Sequence, residues 1–198
     1  MRTNIDVRIA RPEDDDAVVH ALSTAFFHDP VFQWVYPDPD RRAAVIGPAF
    51  GLFTTAIGRH QASSVAEAGA GAALWVPPGE QVVDDEDAEV FGEKLVSLSP
   101  ADADRLQTLM AMFESAHPEE PAWYLNFVGV VPGRQGQGIG SALMRKALHR
   151  ADADCVPAFL EATNEDNRRL YERHGFTVIS ELRLPEGPTV FPMWRDPR

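Results

Sequence analysis

One stretch, Tyr124 to Leu148, constrains this chain more than any other. Tyr124-Leu125-Asn126-Phe127-Val128-Gly129-Val130-Val131 is apolar, aromatic and β-branched, which is the composition of a strand. Pro132 ends it, because proline has no N–H to give to a ladder. Four glycines follow within eight residues: Gly133, Gly136, Gly138 and Gly140. Ile139, Ala142, Leu143, Met144, Ala147 and Leu148 then recur at helical spacing. The unit reads as strand, glycine loop, helix.

Such a unit can hold an anion. The first turn of a helix carries amide N–H groups with no partner inside the helix, and the helix dipole places partial positive charge at the same end. Glycine lets the backbone approach a ligand closely, so the loop suits a phosphate. Two familiar phosphate loops do not fit. Gly140-Ser141-Ala142 lacks the lysine that a nucleotide-binding P-loop requires. Gly136, Gly138 and Gly140 are spaced G-x-G-x-G rather than G-x-G-x-x-G, and no βαβ unit precedes them.

Elsewhere the chain alternates strands and helices. Ile5, Val7 and Ile9 predict a first strand, and Pro12 with the acids Glu13 to Asp16 opens a helix running to about Phe27. His28 to Asp40, with three prolines and three aromatics, reads as a loop in which Phe32 and Trp34 pin to the core and Tyr36 is the better pocket residue. Helices are expected over 41–59, 84–98 and from Ser99-Pro100 onward, and a hairpin over 63–76. After the central helix come a strand at 157–162, a helix from Asn164 to His174 ended by Gly175, a strand over 176–184, and an edge strand over 189–194 that contains Pro192. The 198 residues suggest one domain of mixed α/β layers.

The formal charge of -12 argues against nucleic acid and is compatible with a cationic small substrate. Cys155 is the only cysteine, and there is neither a signal-type apolar run nor a run long enough to span a membrane. A cytoplasmic protein is expected. The histidines at 20, 28, 60, 117, 149 and 174 show no paired ligand spacing, so no metal is expected.

The loop Gln135-Gly136-Gln137-Gly138-Ile139-Gly140 resembles the acyl-CoA pyrophosphate loop of the GNAT superfamily of N-acetyltransferases. A second match follows at the right distance: Asn164 to Phe176 resembles the family's later helix, with Asn and Tyr and a Gly-Phe end. Glu120 to Leu125, Val156 to Glu161, Tyr171-Glu172-Arg173 and Leu184 to Pro188 look like the puromycin N-acetyltransferase-like members. The likeness covers most of the chain but is loose over 79–117. It implies a mixed, mostly antiparallel twisted sheet of about seven strands flanked by helices, with splayed central strands. It also implies a single GNAT domain over 1–198, whose cofactor part is about 122–184.

The resemblance further implies acetyl-CoA as co-substrate and direct acetyl transfer to a primary amine of a small molecule. A CoA-sensing module without catalysis and a protein Nα-acetyltransferase remain alternatives, and a homodimer is possible. Val128, Gly129 and Val130 would bond the pantetheine arm as an added strand. Gln135, Gly136, Gly138, Ile139, Gly140 and Ser141 would hold the pyrophosphate, and Arg134 either pairs with it or is a solvated loop residue. Asn164 and Asn167 are CoA contacts or helix caps. Tyr171 resembles the general acid or is core packing, and the N–H of Val130 would serve the oxyanion. Glu161 is a base or orients the amine, with His117 and Glu120 as rivals. Cys155 is not expected to form a covalent intermediate.

Overall fold

The computed structural model describes residues 5–198. The expectation for the first four residues lies outside that range. Eight strands form one sheet: β1 (Val7–Ile9), β2 (Ser64–Ala66), β3 (Gly71–Val76), β4 (Trp123–Val130), β5 (Ala158–Ala162), β6 (Thr177–Val178), β7 (Leu182–Arg183) and β8 (Thr189–Arg195). Their order is β1-β2-β3-β4-β5-β8-β6, with β7 also on β8. The pair β4–β5 is parallel, and the other pairs among the described strands are antiparallel. The helices are α1 (Asp15–Phe26), α2 (Pro30–Val35), α3 (Pro39–Gly58), α4 (Asp85–Leu98), α5 (Ala103–Ala116), α6 (Ile139–Ala153) and α7 (Glu165–Arg173). Among the described residues, no helix is long and apolar enough to cross a membrane.

The sheet separates two apolar layers. On one face α6 lays Leu143, Met144 and Leu148 against Trp75, Trp123, Leu125 and Leu160. On the other, Leu22 of α1 and Phe50 and Ile57 of α3 cover Val65, Leu74 and Val76. A third cluster joins Val35 of α2, Val45 of α3, Leu95 of α4 and Leu106 of α5 beside Val190 of β8. Burial of such large side chains is the main favourable term holding the layers together.

Three local expectations need correction. Residues 28–40 are not all loop: Asp29 caps α2, its carboxylate accepting from the N–H groups of Val31 and Phe32, and Pro30 stands at the first helical position. The predicted strand over 176–184 is broken into β6 and β7. The predicted edge strand is interior, because β8 lies between β5 and β6. These last two are connected. Pro192 O accepts from Ile179 N, so the backbone of Pro192 faces the β6–β7 side. Its missing N–H therefore falls where β6 gives way to β7, and the ladder with β5 is spared. Trp34 does pin: its indole N–H donates to Pro185 O at 2.8 Å, holding the turn before β8.

Candidate active site

The centre of the sheet is forked. β4 pairs with β3 as far as Val130, but with β5 only from Trp123 to Leu125. Across β3, Trp75 faces Leu125 and Leu74 faces Phe127, so Asn126 is a surplus residue in β4. Such a bulge bends a strand and interrupts pairing. It also switches the strand's facing. Trp123, Leu125, Val128 and Val130 pack on the α6 side, whereas Tyr124 and Phe127 pack on the α1–α3 side. Beyond the bulge the open edge of β4 has no strand partner among the described residues.

Val131 N donates to Ala70 O, so alternation turns the backbone groups of Val131 and Gly129 toward β3 and those of Val130 and Val128 toward the fork. The expectation for Gly129 is corrected accordingly. Its lack of a side chain answers to α1, since a Cβ there would stand 2.8 Å from Ala25 Cβ and 3.1 Å from Leu22 Cδ2. At the fork, the side-chain amide of Gln135 donates to Val130 O at 3.2 Å.

The glycine loop leads from the fork into α6. Gly133, Gly136 and Gly138 take positive φ values of 82°, 73° and 86°, a region that side chains disfavour. Gly138 is the N-cap of α6, and no side chain caps the N–H groups of the first turn. Arg134 Nε donates to Gln137 Oε1 at 3.2 Å, an exposed contact within the loop. Ser141 Oγ lies 3.0 Å from His174 Nε2. Burial, with Arg145, Arg173 and Arg195 nearby, holds the His174 imidazole below its usual range, which favours a neutral ring beside that hydroxyl.

The other wall is α7 and the turn before it. Asn164 is its N-cap, accepting from Asn167 N at 2.9 Å. Thr163 Oγ1 donates to Asp29 Oδ2 at 2.5 Å, tying the end of β5 to the start of α2. Burial raises the Asp29 carboxyl despite these donors. Tyr171 is buried at the end of α7's inner face, and burial, with the Asp29 charge adding to it, pushes its phenol far above the ordinary value. The phenol therefore keeps its proton.

Glu161 is the first β5 residue past the last pair with β4. Its carboxyl is pushed up to about 8 by burial, partly offset by the Tyr124 hydroxyl. Glu161 Oε1 and Asn126 Oδ1 are both buried without a hydrogen-bond partner. Unpaired buried acceptors are costly, and in native proteins they call for an explanation.

Two cavities meet here. A cleft of about 820 Å³ follows the open edge of β4, the glycine loop and α7. A pocket of about 450 Å³ lies under α4 and α5. Phe26, Val128, Asn167 and Tyr171 line both, so the phenol stands at the junction. The cleft gathers Val128, Gly129, Val130, Arg134, Gln135, Gly136, Gly138, Ile139, Gly140, Ser141, Asn164 and Asn167. Glu161 lines the pocket instead. His117 lies there too, its ring 4.8 Å from that of Tyr124, while Glu120 is exposed and lines neither cavity. Tyr36, expected as a pocket residue, does line the pocket, and so does Phe32.

Sequence reasoning missed Asn126, Tyr124, Thr163, Asp29 and Arg173. Only Asn126 carried a signal, as a polar residue in the middle of an otherwise apolar strand.

Comparison with known proteins agrees with this geometry. The family model described as the acetyltransferase (GNAT) family matches residues 75–176. An uncharacterized N-acetyltransferase of Schizosaccharomyces pombe is 26% identical over 133 residues, covering 58% of this chain and 50% of that protein. A mycothiol acetyltransferase of Streptomyces griseus is 38% identical over 65 residues, covering 31% of this chain and 21% of that protein. The chain thus spans half or less of the length of these curated relatives. The crystal structure of histone acetyltransferase HPA2 and related acetyltransferase from Corynebacterium glutamicum superposes with a TM-score of 0.73 at 28% identity, covering 99% of this chain and 98% of that one. Arylalkylamine N-acetyltransferase 2 from Aedes aegypti superposes at 0.74 with 17% identity, covering 99% and 100%, and a Drosophila melanogaster polyamine N-acetyltransferase at 0.72 with 17%, covering 98% and 100%. The last two speak for the fold alone. The forked sheet, the glycine loop and a family match over half the chain together identify this protein as a member of the GNAT family of acetyltransferases.

Proposed function

We propose that this protein moves the acetyl group of acetyl-CoA directly to a primary amine of a small molecule. The observation that carries the reading is Tyr171, a buried and protonated phenol at the one junction between a long cleft and a separate pocket. A pure CoA-binding module has no use for either the phenol or the second cavity.

Acetyl-CoA fits what the cleft offers. The unpaired edge of β4 can accept an extended amide-bearing arm, and the side-chain amide of Gln135 on Val130 O is the kind of bond such an arm would make. The bare N–H groups from Gly138 to Ser141 suit a pyrophosphate, with Arg134 and Arg173 supplying formal charge along the cleft. Bound there, the cofactor supplies an activated acetyl group.

The remaining work falls to the chain. The N–H of Val130, turned to the fork, is the donor for the oxyanion. Tyr171 gives a proton to the departing sulfur. Glu161 receives the amine from the pocket side and takes up its proton directly or through water. Asn164 and Asn167 hold the arm near the sulfur, and Asp29 with Thr163 keeps the two walls together. The motif likeness to puromycin N-acetyltransferase-like members supports a small-molecule acceptor.

The test is release of free thiol from acetyl-CoA on addition of amines, read together with CoA binding. Acetyl transfer to at least one small amine is expected. Tight CoA binding without transfer to any amine would leave a binding module instead.

A further inference from the structure

Resting on that reading, we infer that the acceptor is an apolar monoamine, a single primary amine carried on an aromatic or branched hydrocarbon body. The 450 Å³ pocket has two unlike ends. Tyr124, Asn126, Glu161, Thr163 and Asn167 form a polar end beside Tyr171. Phe53, Phe91, Leu95, Leu109 and Phe113 belong to the apolar remainder. At the polar end two acceptors, Glu161 Oε1 and Asn126 Oδ1, are buried and unpartnered. A primary ammonium has three N–H donors and no acceptor, which is what two unmet acceptors require. Its placement there also points the nitrogen at the fork, where Val128 and Tyr171 are shared with the cofactor cleft.

The apolar end decides the rest of the molecule. A second ammonium would have to lie among phenylalanines and leucines, and a buried unpaired charge costs several kcal/mol. Among the described residues, Glu114 is the one other carboxylate on the lining, and it is exposed on α5. A lysine side chain is linear and polar at its base, so it would leave most of the ring-lined volume unfilled. An aromatic or branched body removes its own apolar surface and that of the pocket from water, at roughly 25 cal/mol per Å². The volume falls within the range of small-molecule sites.

The test is kcat/KM with saturating acetyl-CoA for 2-phenylethylamine and tryptamine against ethylamine, spermidine, agmatine and a lysine-containing peptide. The apolar monoamines should lead by at least about 30-fold, the worth of burying one aromatic body. Leu109→Trp, which fills the apolar end, should cut kcat/KM for 2-phenylethylamine at least about tenfold. The ratio of that value to the one for ethylamine should fall with it. Ala88→Phe, at an exposed position of α4 on the same lining, asks the same question without disturbing buried packing. Preference for spermidine, agmatine or the peptide, or indifference of 2-phenylethylamine to both variants, would overturn the inference while acetyl transfer stands. Failure of every amine despite CoA binding would overturn both.

Discussion

The buried carboxyl of Glu161 makes the stability of the ligand-free protein depend on pH in a particular direction. Its value rises from 4.5 to about 8 on folding, chiefly through burial. Between those values the folded state holds a proton that the unfolded state has released. Stability is therefore highest below about pH 4.5, as far as this group is concerned, and is lost as pH climbs toward 8. The full shift corresponds to about 5 kcal/mol. Relaxation and water penetration reduce such penalties, so a loss of about 2 kcal/mol or more is expected. Glu161→Gln keeps the shape, cannot ionise, and brings an amide N–H that can meet Asn126 Oδ1. The assay is urea or thermal unfolding of both proteins from pH 5 to 8.5 without ligand. His117, His174 and the Asp29 carboxyl also titrate differently in the two states, but they are common to both proteins and drop out of the difference. The variant should gain on the parent as pH rises, by about 4–8 °C in Tm for a chain of this size. A difference that stays flat across the range would refute the argument that burial outweighs the Tyr124 hydroxyl in setting the Glu161 carboxyl of the free protein.

Tyr171→Phe should lower turnover by roughly 10²-fold with CoA affinity kept, as measured by steady-state rates and calorimetry, because it removes the proton donor and leaves the cleft intact. Gly138→Glu should abolish CoA binding in a protein whose circular dichroism is unchanged, since it puts a negative charge at the mouth of α6 and a side chain at φ 86°. Gly129→Ala should destabilise by about 1–3 kcal/mol in denaturant titration, because its Cβ would press into Ala25 and Leu22 of α1.

The strand–loop–helix unit was legible because each part has a local cause: β-branched residues, a proline stop, glycines and a 3.6-residue repeat, all within 25 residues. The later helix was legible for the same reason, with Asn164 capping and Gly175 closing it at φ 94°. The position of β8 was not. Whether a strand containing proline lies at an edge depends on which neighbour meets the missing N–H, and that is decided across the sheet by Ile179. Likewise Glu161 could be named, but the unpartnered state of its Oε1 could not, because the residue pairs with β8 and faces a pocket lined by α4 and α5, which periodicity does not reveal. Asp29 and Thr163 are 134 residues apart, and neither sits in a motif that would suggest the other. Sequence periodicity reports on the turn a residue belongs to; the walls of a cavity are set by long-range packing.

The surplus position in β4 has a further consequence. Striking out Asn126 would not invert any neighbour, because Leu125 and Phe127 already look to opposite layers and would simply become consecutive. The shortened strand could then zip onto β5 past Leu160, closing the mouth with ordinary ladder bonds. In this protein the opening between the two central strands goes with an addition of one residue to the chain.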